Sequence, residues 1–477
     1  MDVFVAGFCF LTVLCIVLYV YTKTALTHAA SPDFKKFQRV YLTVYLLAMG
    51  GDWLQGPHVY ALYQSYDISS HSIQLLFVIG FGASMVVGTV VGSFADKYGR
   101  RANCILYGIL YACACVTKHF GNFWVLLIGR LLGGTATSIL YSAFESWLIY
   151  EHNQRGYDPE LLSHTFSIGV LGNSLVAILA GLVAQWFADQ YGFVAPFDIS
   201  LTVLIVMCFV IIFTWSENYG DLSSSFSESF RSALKSIQTD KKVLCLGLIQ
   251  SLFEGAMYMF VLEWTPALTP KDADLSGKTK GEHRGAIPHG IIFAAFMVAI
   301  MIGSSIFKIL LRNWSPESFM RGVLVLSAVS LLLPVLFPAS QVIVFSGFLI
   351  FECCVGIFWP SLGTMRGKYV PEKTRATIMN FFRIPLNMIV VLMLIQSLSM
   401  KVIFTCCCVF LFLASMFQQV LYQLSHKNLP AEEMQNTYIN NSDAIIKKPL
   451  LVHGSPAYEE EDKQIITNVP KEDDTNS

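Results

Sequence analysis

Apolar residues run almost unbroken for about twenty positions at a time along this chain, and short polar segments punctuate the runs. A helix needs about twenty such residues to cross the hydrocarbon core of a bilayer. Each run therefore predicts a spanning helix, and thirteen are present: 2 to 22, 41 to 63, 73 to 95, 102 to 120, 122 to 149, 163 to 188, 195 to 215, 243 to 265, 288 to 311, 320 to 338, 341 to 365, 376 to 397 and 401 to 424. A polar linker with Lys23, Lys35, Lys36 and Arg39 sets the first apart. The remaining twelve fall into two sets of six around a stretch rich in Ser and charge. The chain thus divides into an extra N-terminal helix and linker (1–40), a six-helix half (41–215), a cytoplasmic central loop (216–242), a second six-helix half (243–424) and a polar tail (425–477).

Lysine and arginine in short loops mark the cytoplasmic side. Lys97, Arg100 and Arg101 share one side with Arg155, with Arg231, Lys235, Lys241 and Lys242, with Arg312 and Arg321, and with Arg366, Lys368, Lys373 and Arg375. The opposite loops 64 to 72, 189 to 194 and 339 to 340 carry neither residue type. Loop 266 to 287 departs from this, but its Lys271, Lys278, Lys280 and Arg284 are offset by Asp272, Asp274 and Glu282. An odd number of spans then puts the N-terminus outside and the tail inside. The tail ends in acidic clusters, has little to bury and is expected to be disordered. Both N-x-S sequons, at Asn313 and Asn440, fall on the cytoplasmic side and should carry no sugar.

Composition narrows the class. With 54% hydrophobic and 14% charged residues and a mean hydropathy of +0.56, the chain is too apolar for a soluble domain, in which about 25% of residues are charged. It reads as an all-α integral membrane protein whose solvent is the lipid bilayer. A formal net charge of -1, with its bases scattered among short loops, excludes nucleic acid as a partner. The twelve cysteines lie in or beside apolar runs, without C-x-x-C pairs or His-rich companions, so no metal and no cofactor are expected. The first run has Asp2 where a signal peptide is basic and lacks a convincing small-residue cleavage site, which favours a retained helix.

One polar elbow stands out between two of the runs: Gly92-Ser93-Phe94-Ala95-Asp96-Lys97-Tyr98-Gly99-Arg100-Arg101. Its glycines permit close helix approach and a tight turn, and Asp96 faces a cluster of bases. A generic loop would not need the G-x-x-x-D-x-x-G-R-R spacing. After the fourth of the twelve spans, Glu151-x-x-x-Arg155-Gly156 recurs loosely as Glu372-x-x-Arg375 after the tenth. The second-half counterpart of the elbow, Gly303 through Lys308 to Arg312, keeps the glycine and the bases but not the aspartate, so any gate built there is asymmetric.

Six plus six spans, a basic central loop and this elbow together resemble the major facilitator superfamily over roughly residues 40 to 425. Further stretches are similar to its molybdate-anion transporter subgroup: Gly51-Asp52-Trp53-Leu54-Gln55, Ser142-Ala143-Phe144-Glu145-Ser146-Trp147, Glu217-Asn218-Tyr219, Ile249-Gln250-Ser251-Leu252-Phe253-Glu254 and Phe381-Phe382-Arg383-Ile384-Pro385-Leu386, together with the extra N-terminal run. The resemblance implies a major facilitator superfamily fold of two six-helix halves plus one extra N-terminal transmembrane helix, and a central site opened alternately to either side. It also implies that spans one, four, seven and ten line the cavity.

Each of those four spans carries an acid: Asp52, Glu145, Glu254 and Glu352. An ionisable residue inside a span costs roughly 2.5 to 3.5 kcal/mol on insertion scales and usually faces the protein interior or a water-filled path. Asp52, Glu254 and Glu352 lie near mid-span and are candidates for proton coupling; a structural hydrogen bond to a neighbouring helix is the alternative. Glu145 lies close to the cytoplasmic end, which assigns it to a gate beside Asp96 and Arg100, with Gly92, Gly99, Arg101, Glu151, Arg155, Glu372 and Arg375. Gln250, Glu254 and Tyr258 share one helical face, and Asp52 shares another with Gln55. Arg130, in Gly129-Arg130-x-x-Gly133-Gly134, resembles the superfamily's span-four arginine motif, and Arg383 lies at similar depth in span eleven. For an oxyanion cargo these two guanidiniums, with Gln55, Gln250 and Tyr258, are the expected contacts, because a guanidinium makes paired hydrogen bonds to tetrahedral oxygens. Pairing with nearby acids is the other role open to them.

These features favour a secondary transporter of a small inorganic anion, molybdate on the resemblance, acting as a monomer in the plasma membrane. A proton antiporter of organic cations fits the charges nearly as well, and a non-transporting sensor or scaffold with the same fold is a third reading. An enzyme is disfavoured, since the sequence has no P-loop, no dinucleotide fingerprint and no nucleophile and base at useful spacing.

Overall fold

The runs fold as helices wherever local chemistry allows, and break where it does not. A computed structural model describes residues 3–23, 31–220, 226–268, 289–396 and 398–426. The expectations for loop charges from Lys271 to Arg284 and for the tail with Asn440 lie outside those residues. In order the helices are α1 (Val3–Lys23), α2 (Pro32–Gln55), α3 (Val59–Ser65), α4 (Ser70–Tyr98), α5 (Arg100–Thr117), α6 (Phe123–Leu140), α7 (Ala143–Gln154), α8 (Pro159–Tyr191), α9 (Ala195–Thr214), α10 (Phe226–Thr239), α11 (Lys241–Leu268), α12 (His289–Leu311), α13 (Pro316–Leu336), α14 (Gln341–Tyr369), α15 (Arg375–Ile395) and α16 (Met400–His426). Ser31 starts α2 by accepting from the Phe34 amide, with Pro32 at the first helical position, where its missing N–H is not needed. Gly56-Pro57 interrupts the first long span between α2 and α3.

Among the described residues, eleven helices are long and apolar enough to cross a membrane. The α2–α3 and α5 passages are not among them. Both carry polar groups turned inward, such as Asp52, Gln55 and Asn103, and this lowers their hydropathy without removing them from the bundle. The chain is a multi-pass membrane protein. Its outward faces carry apolar side chains, including Phe10, Ile128, Leu182, Phe213 and Val409, which suits lipid contact.

Each half has its own core. In the first, Trp147 stacks on Trp215 with ring centroids 3.7 Å apart; in the second, Phe253 stacks on Phe358 at 3.7 Å. Gly303 on α12 and Gly356 on α14 let those helices meet backbone to backbone. A Cβ on Gly303 would stand 2.0 Å from the Cys353 carbonyl oxygen, so the glycine kept in the elbow's counterpart serves packing. The halves meet where α15 lies along α4 and where α8 lies along α12 and α14. Helix α1 packs on α12 of the second half, and its Phe4 is set edge-on against Phe345 of α14 at 5.0 Å. Within the stretch read as a central loop lies α10, a helix with one apolar stripe that rests on α15 through Phe230 and Phe381, 4.8 Å apart.

Candidate functional site

The elbow turns on a single residue and is fastened from three directions. Gly99, between α4 and α5, has φ of 116°, a conformation that glycine alone adopts without strain. A Cβ there would come within 2.4 Å of the Glu217 carboxylate carbon. That carboxylate caps α5, accepting from the Arg101 and Ala102 amides at 2.8 and 3.1 Å. The segment after α9 then folds back on the elbow: Arg100 N donates to Asn218 O at 2.9 Å, and Gly220 N donates to Asp96 O at 2.7 Å.

From this hinge a buried network crosses between the halves. Asp96 accepts from Arg100 Nη2 (3.0 Å) and Nε (3.3 Å), from the Ala376 and Thr377 amides (3.3 and 2.9 Å) and from Thr377 Oγ1 (2.9 Å). The two amides belong to the first turn of α15, where a carboxylate is favoured by the unpaired N–H groups and the helix dipole. Arg100 donates to Glu372 Oε1 at 2.5 Å, to the Glu372 carbonyl at 2.7 Å and to the Ser146 carbonyl at 3.2 Å. Glu372 also pairs with Arg375. Asp96, Gly99, Arg100, Glu372 and Arg375 are therefore brought together as one latch, with Gly92 upstream on α4.

The four other expected gate residues, Arg101, Glu145, Glu151 and Arg155, have their contacts elsewhere. Arg101 donates to Ile212 O at 2.7 Å, within its own half, and Arg155 pairs with Glu151 at 2.9 Å on the same helix end. Glu151 also accepts from Asn218 Nδ2 at 3.2 Å. Glu145 was expected beside Asp96 and Arg100; its partner is Arg366 of α14, at 2.8 Å. Height along a helix placed Glu145 correctly near the elbow end, but the helix face it occupies turns it towards α14.

A cavity of about 250 Å³ lies towards the middle of the bundle and its far end. Of the candidate binding and coupling residues, Asp52, Gln55, Arg130, Tyr258 and Arg383 line it. Asp52 accepts from the Tyr111 hydroxyl at 2.5 Å. Gln55 spends its amide on Gly51 O (3.1 Å) and Ser200 Oγ (3.0 Å), so it braces α2 against α9. Arg383 sits over the Tyr141 ring at 4.7 Å, and its Nε and Nη1 have no hydrogen-bond partner among the described residues. Arg130 is anchored to Leu76 O through Nε at 3.2 Å and lies over Phe77 at 4.6 Å.

Three candidates do not line the cavity. Gln250 and Glu254 are buried behind Arg383, and Glu352 is buried in α14 without an ion pair among the described residues. Glu254 lies 3.8 Å from Arg383 Nη1 and 3.9 Å from Arg366 Nη2. Charges of alternating sign thus run from Glu145 through Arg366 and Glu254 to Arg383, joining the elbow end to the cavity wall. Arg366 is the residue that sequence reasoning missed, because it falls one position beyond an apolar run and counts there as a loop base. Tyr111 on α5 and Lys118 just after it, both lining the cavity, were passed over as well.

Comparison with known proteins agrees with this architecture. Residues 3–357 match the model of a family described as sugar transporters with twelve transmembrane helices. The chain is 33% identical to the molybdate-anion transporter of Xenopus tropicalis over 383 residues, covering 77% of this chain and 80% of that protein. It is 33% identical to the molybdate-anion transporter of Xenopus laevis over 430 residues, 84% and 90% of the two chains. Among solved structures, a bacterial homologue of the iron transporter ferroportin in an outward-facing state superposes with a TM-score of 0.65 at 15% identity, over 81% of this chain and 99% of that one, a likeness of fold alone. The chain belongs to the major facilitator superfamily, within the family of the molybdate-anion transporters.

Proposed function

We propose that the protein is a secondary transporter that moves molybdate across the plasma membrane, as a monomer, by alternating access. The observation that carries the reading is the pair Arg130 and Arg383 on the wall of one cavity, the second with two nitrogens unbonded. Guanidinium groups of this kind bind tetrahedral oxyanions through paired, charge-assisted hydrogen bonds. The names of the Xenopus relatives supply the anion. No step calls for enzymatic chemistry.

On this reading the elbow end is cytoplasmic, and the latch of Asp96, Arg100 and Glu372 holds that side shut while the cavity faces outward. Transport then requires the latch to part as the cavity closes on its cargo. Asp52 in the wall and Glu254 behind Arg383 would repel an anion when ionised, so a proton taken up with the cargo resolves the conflict. Glu254→Gln should then flatten the pH dependence of uptake, and an unchanged pH profile removes Glu254 from that role.

The deciding experiment is radiolabelled molybdate uptake into cells expressing the chain, with sulfate and organic cations as competitors. Accumulation above control, blocked by oxyanions, supports the reading. Cation efflux without molybdate accumulation overturns it.

A further inference from the structure

The two ends of the cavity differ in charge. Arg383 at one end lies near carboxylates, with Asp52 on the same wall and Glu254 3.8 Å from Nη1. At the other end the wall carries Lys118 and Arg130, and neither has a carboxylate within ion-pair distance among the described residues. Lys118 follows the last residue of α5 and is only 3% exposed. Its Nζ donates to the Tyr63 hydroxyl at 2.6 Å, and the same hydroxyl faces the Arg130 guanidinium. Tyr63 is fully buried and comes from α3, so the break at Gly56-Pro57 is what turns this ring towards the end of α5.

A lysine at a helix C-terminus ordinarily serves the last carbonyls and the dipole. Here the ammonium is turned away from them to Tyr63 and the cavity, and the charged group facing it is a second cation, Arg130. An ammonium has three donors and Tyr63 takes one. Gly80 leaves room for the guanidinium beside it, since a Cβ there would stand 2.9 Å from Arg130 Nη2. Two cations on one cavity wall, Lys118 buried and Arg130 partly exposed, repel each other across one neutral hydroxyl, and a doubly charged anion between them would relieve that repulsion.

We propose that Lys118, Arg130 and Tyr63 form a second anion station at the end of the cavity away from the elbow, selective for doubly charged tetrahedral oxyanions and visited before Arg383. The route from this station to Arg383 rests on the transport reading above; the station itself stands on the two cations and their shared hydroxyl. Arg383 meets the cargo next to carboxylates, whereas Lys118 and Arg130 supply excess positive charge. Discrimination of charge therefore belongs to Lys118, and release inward belongs to Arg383.

The test uses purified full-length protein in detergent, with anion affinity read from thermal stabilisation by sodium molybdate and by sodium perrhenate, two tetrahedral oxyanions of charge two and one. Lys118→Gln should weaken molybdate about tenfold and perrhenate by roughly twofold or less, because losing one cation costs the dianion more. Lys118→Arg should keep the preference, and Tyr63→Phe should change it less than Lys118→Gln does. Equal losses for both anions, or no loss for either, overturn the station, since a merely structural role would not separate them. If Lys118→Gln does not fold, loss of preference in Lys118→Arg decides against the proposal, and Tyr63→Phe is read in the same way. Should the wild type bind sulfate and not molybdate, with Lys118→Gln still favouring perrhenate relative to sulfate, the station stands and the molybdate reading falls. Absence of stabilisation by all three anions overturns both.

Discussion

Asp96 and Arg383 are both buried charges on helices that face the opposite half, yet their surroundings are opposite in kind. Asp96 receives five hydrogen bonds at 2.9 to 3.3 Å. Arg383 leaves Nε and Nη1 unbonded, with its ion-pair partner Glu254 at 3.8 Å. A buried charge whose bonds are all made fastens elements together. One left short of partners is costly to the fold, and such groups concentrate where ligands bind. Damage at the latch should therefore appear first in stability, and damage at the cavity first in transport.

The largest effect is expected from Asp96→Ala. It removes five bonds and leaves Arg100 with Glu372 and carbonyl groups, and breaking one side of a buried pair costs about 3 to 5 kcal/mol. The thermal midpoint of the purified protein should fall well below that of any cavity variant. A midpoint at the wild-type value would show that the latch is not a fastening, and the contrast with Arg383 would collapse.

Arg383→Gln should reverse the order of symptoms. Loss of a charge-assisted contact to the cargo is expected to lower molybdate uptake about a hundredfold, a barrier change of roughly 2.7 kcal/mol. The midpoint should move less than for Asp96→Ala, because Glu254 keeps Arg366 at 3.9 Å. Normal uptake with a collapsed midpoint would make Arg383 structural and sharpen the search towards Arg130.

A smaller and more specific effect is expected at the hinge. Glu217→Ala removes the cap on α5 and should cost about 1 kcal/mol. Gly99→Ala suffers both a left-handed backbone, worth about 1 to 2 kcal/mol, and the clash with the Glu217 carboxylate at 2.4 Å. Removing Glu217 relieves the clash. The double variant should therefore lose less stability than the two single losses added together, and strict additivity would count against the contact.

The elbow, the thirteen passages and the depth of each acid were legible in the sequence because they depend on order and height along the helices. Neighbours across the bundle were not. Glu145 lies at the height expected, but only packing decides that it meets Arg366 rather than Arg100. Glu254 and Gln250 share a face with Tyr258, yet Tyr258 reaches the cavity and the other two stay behind Arg383. Glu217-Asn218-Tyr219 carried a family resemblance without a visible reason. Its chemistry emerges when the segment folds back to cap α5 and to accept the Arg100 amide. Lys118 escaped notice because it lies close to the end of an apolar run, where a lysine normally reaches for water.

The least effect is expected where the sequence suggested equivalence. Glu151 with Arg155 and Glu372 with Arg375 look like repeated pairs, but the Arg155 side chain is 42% exposed and that of Arg375 is 3% exposed. An exposed pair on one helix end contributes at most about 1 kcal/mol, and Glu151 keeps Asn218 when Arg155 is gone. Arg375 also donates to Val370 O at 2.8 Å, and its partner Glu372 holds Arg100 of the other half. Arg155→Ala should leave uptake unchanged and shift the midpoint by little more than the error of measurement, whereas Arg375→Ala should lower both. Equal effects would mean that the halves share the load of the latch symmetrically, against the one-sided network built on Asp96.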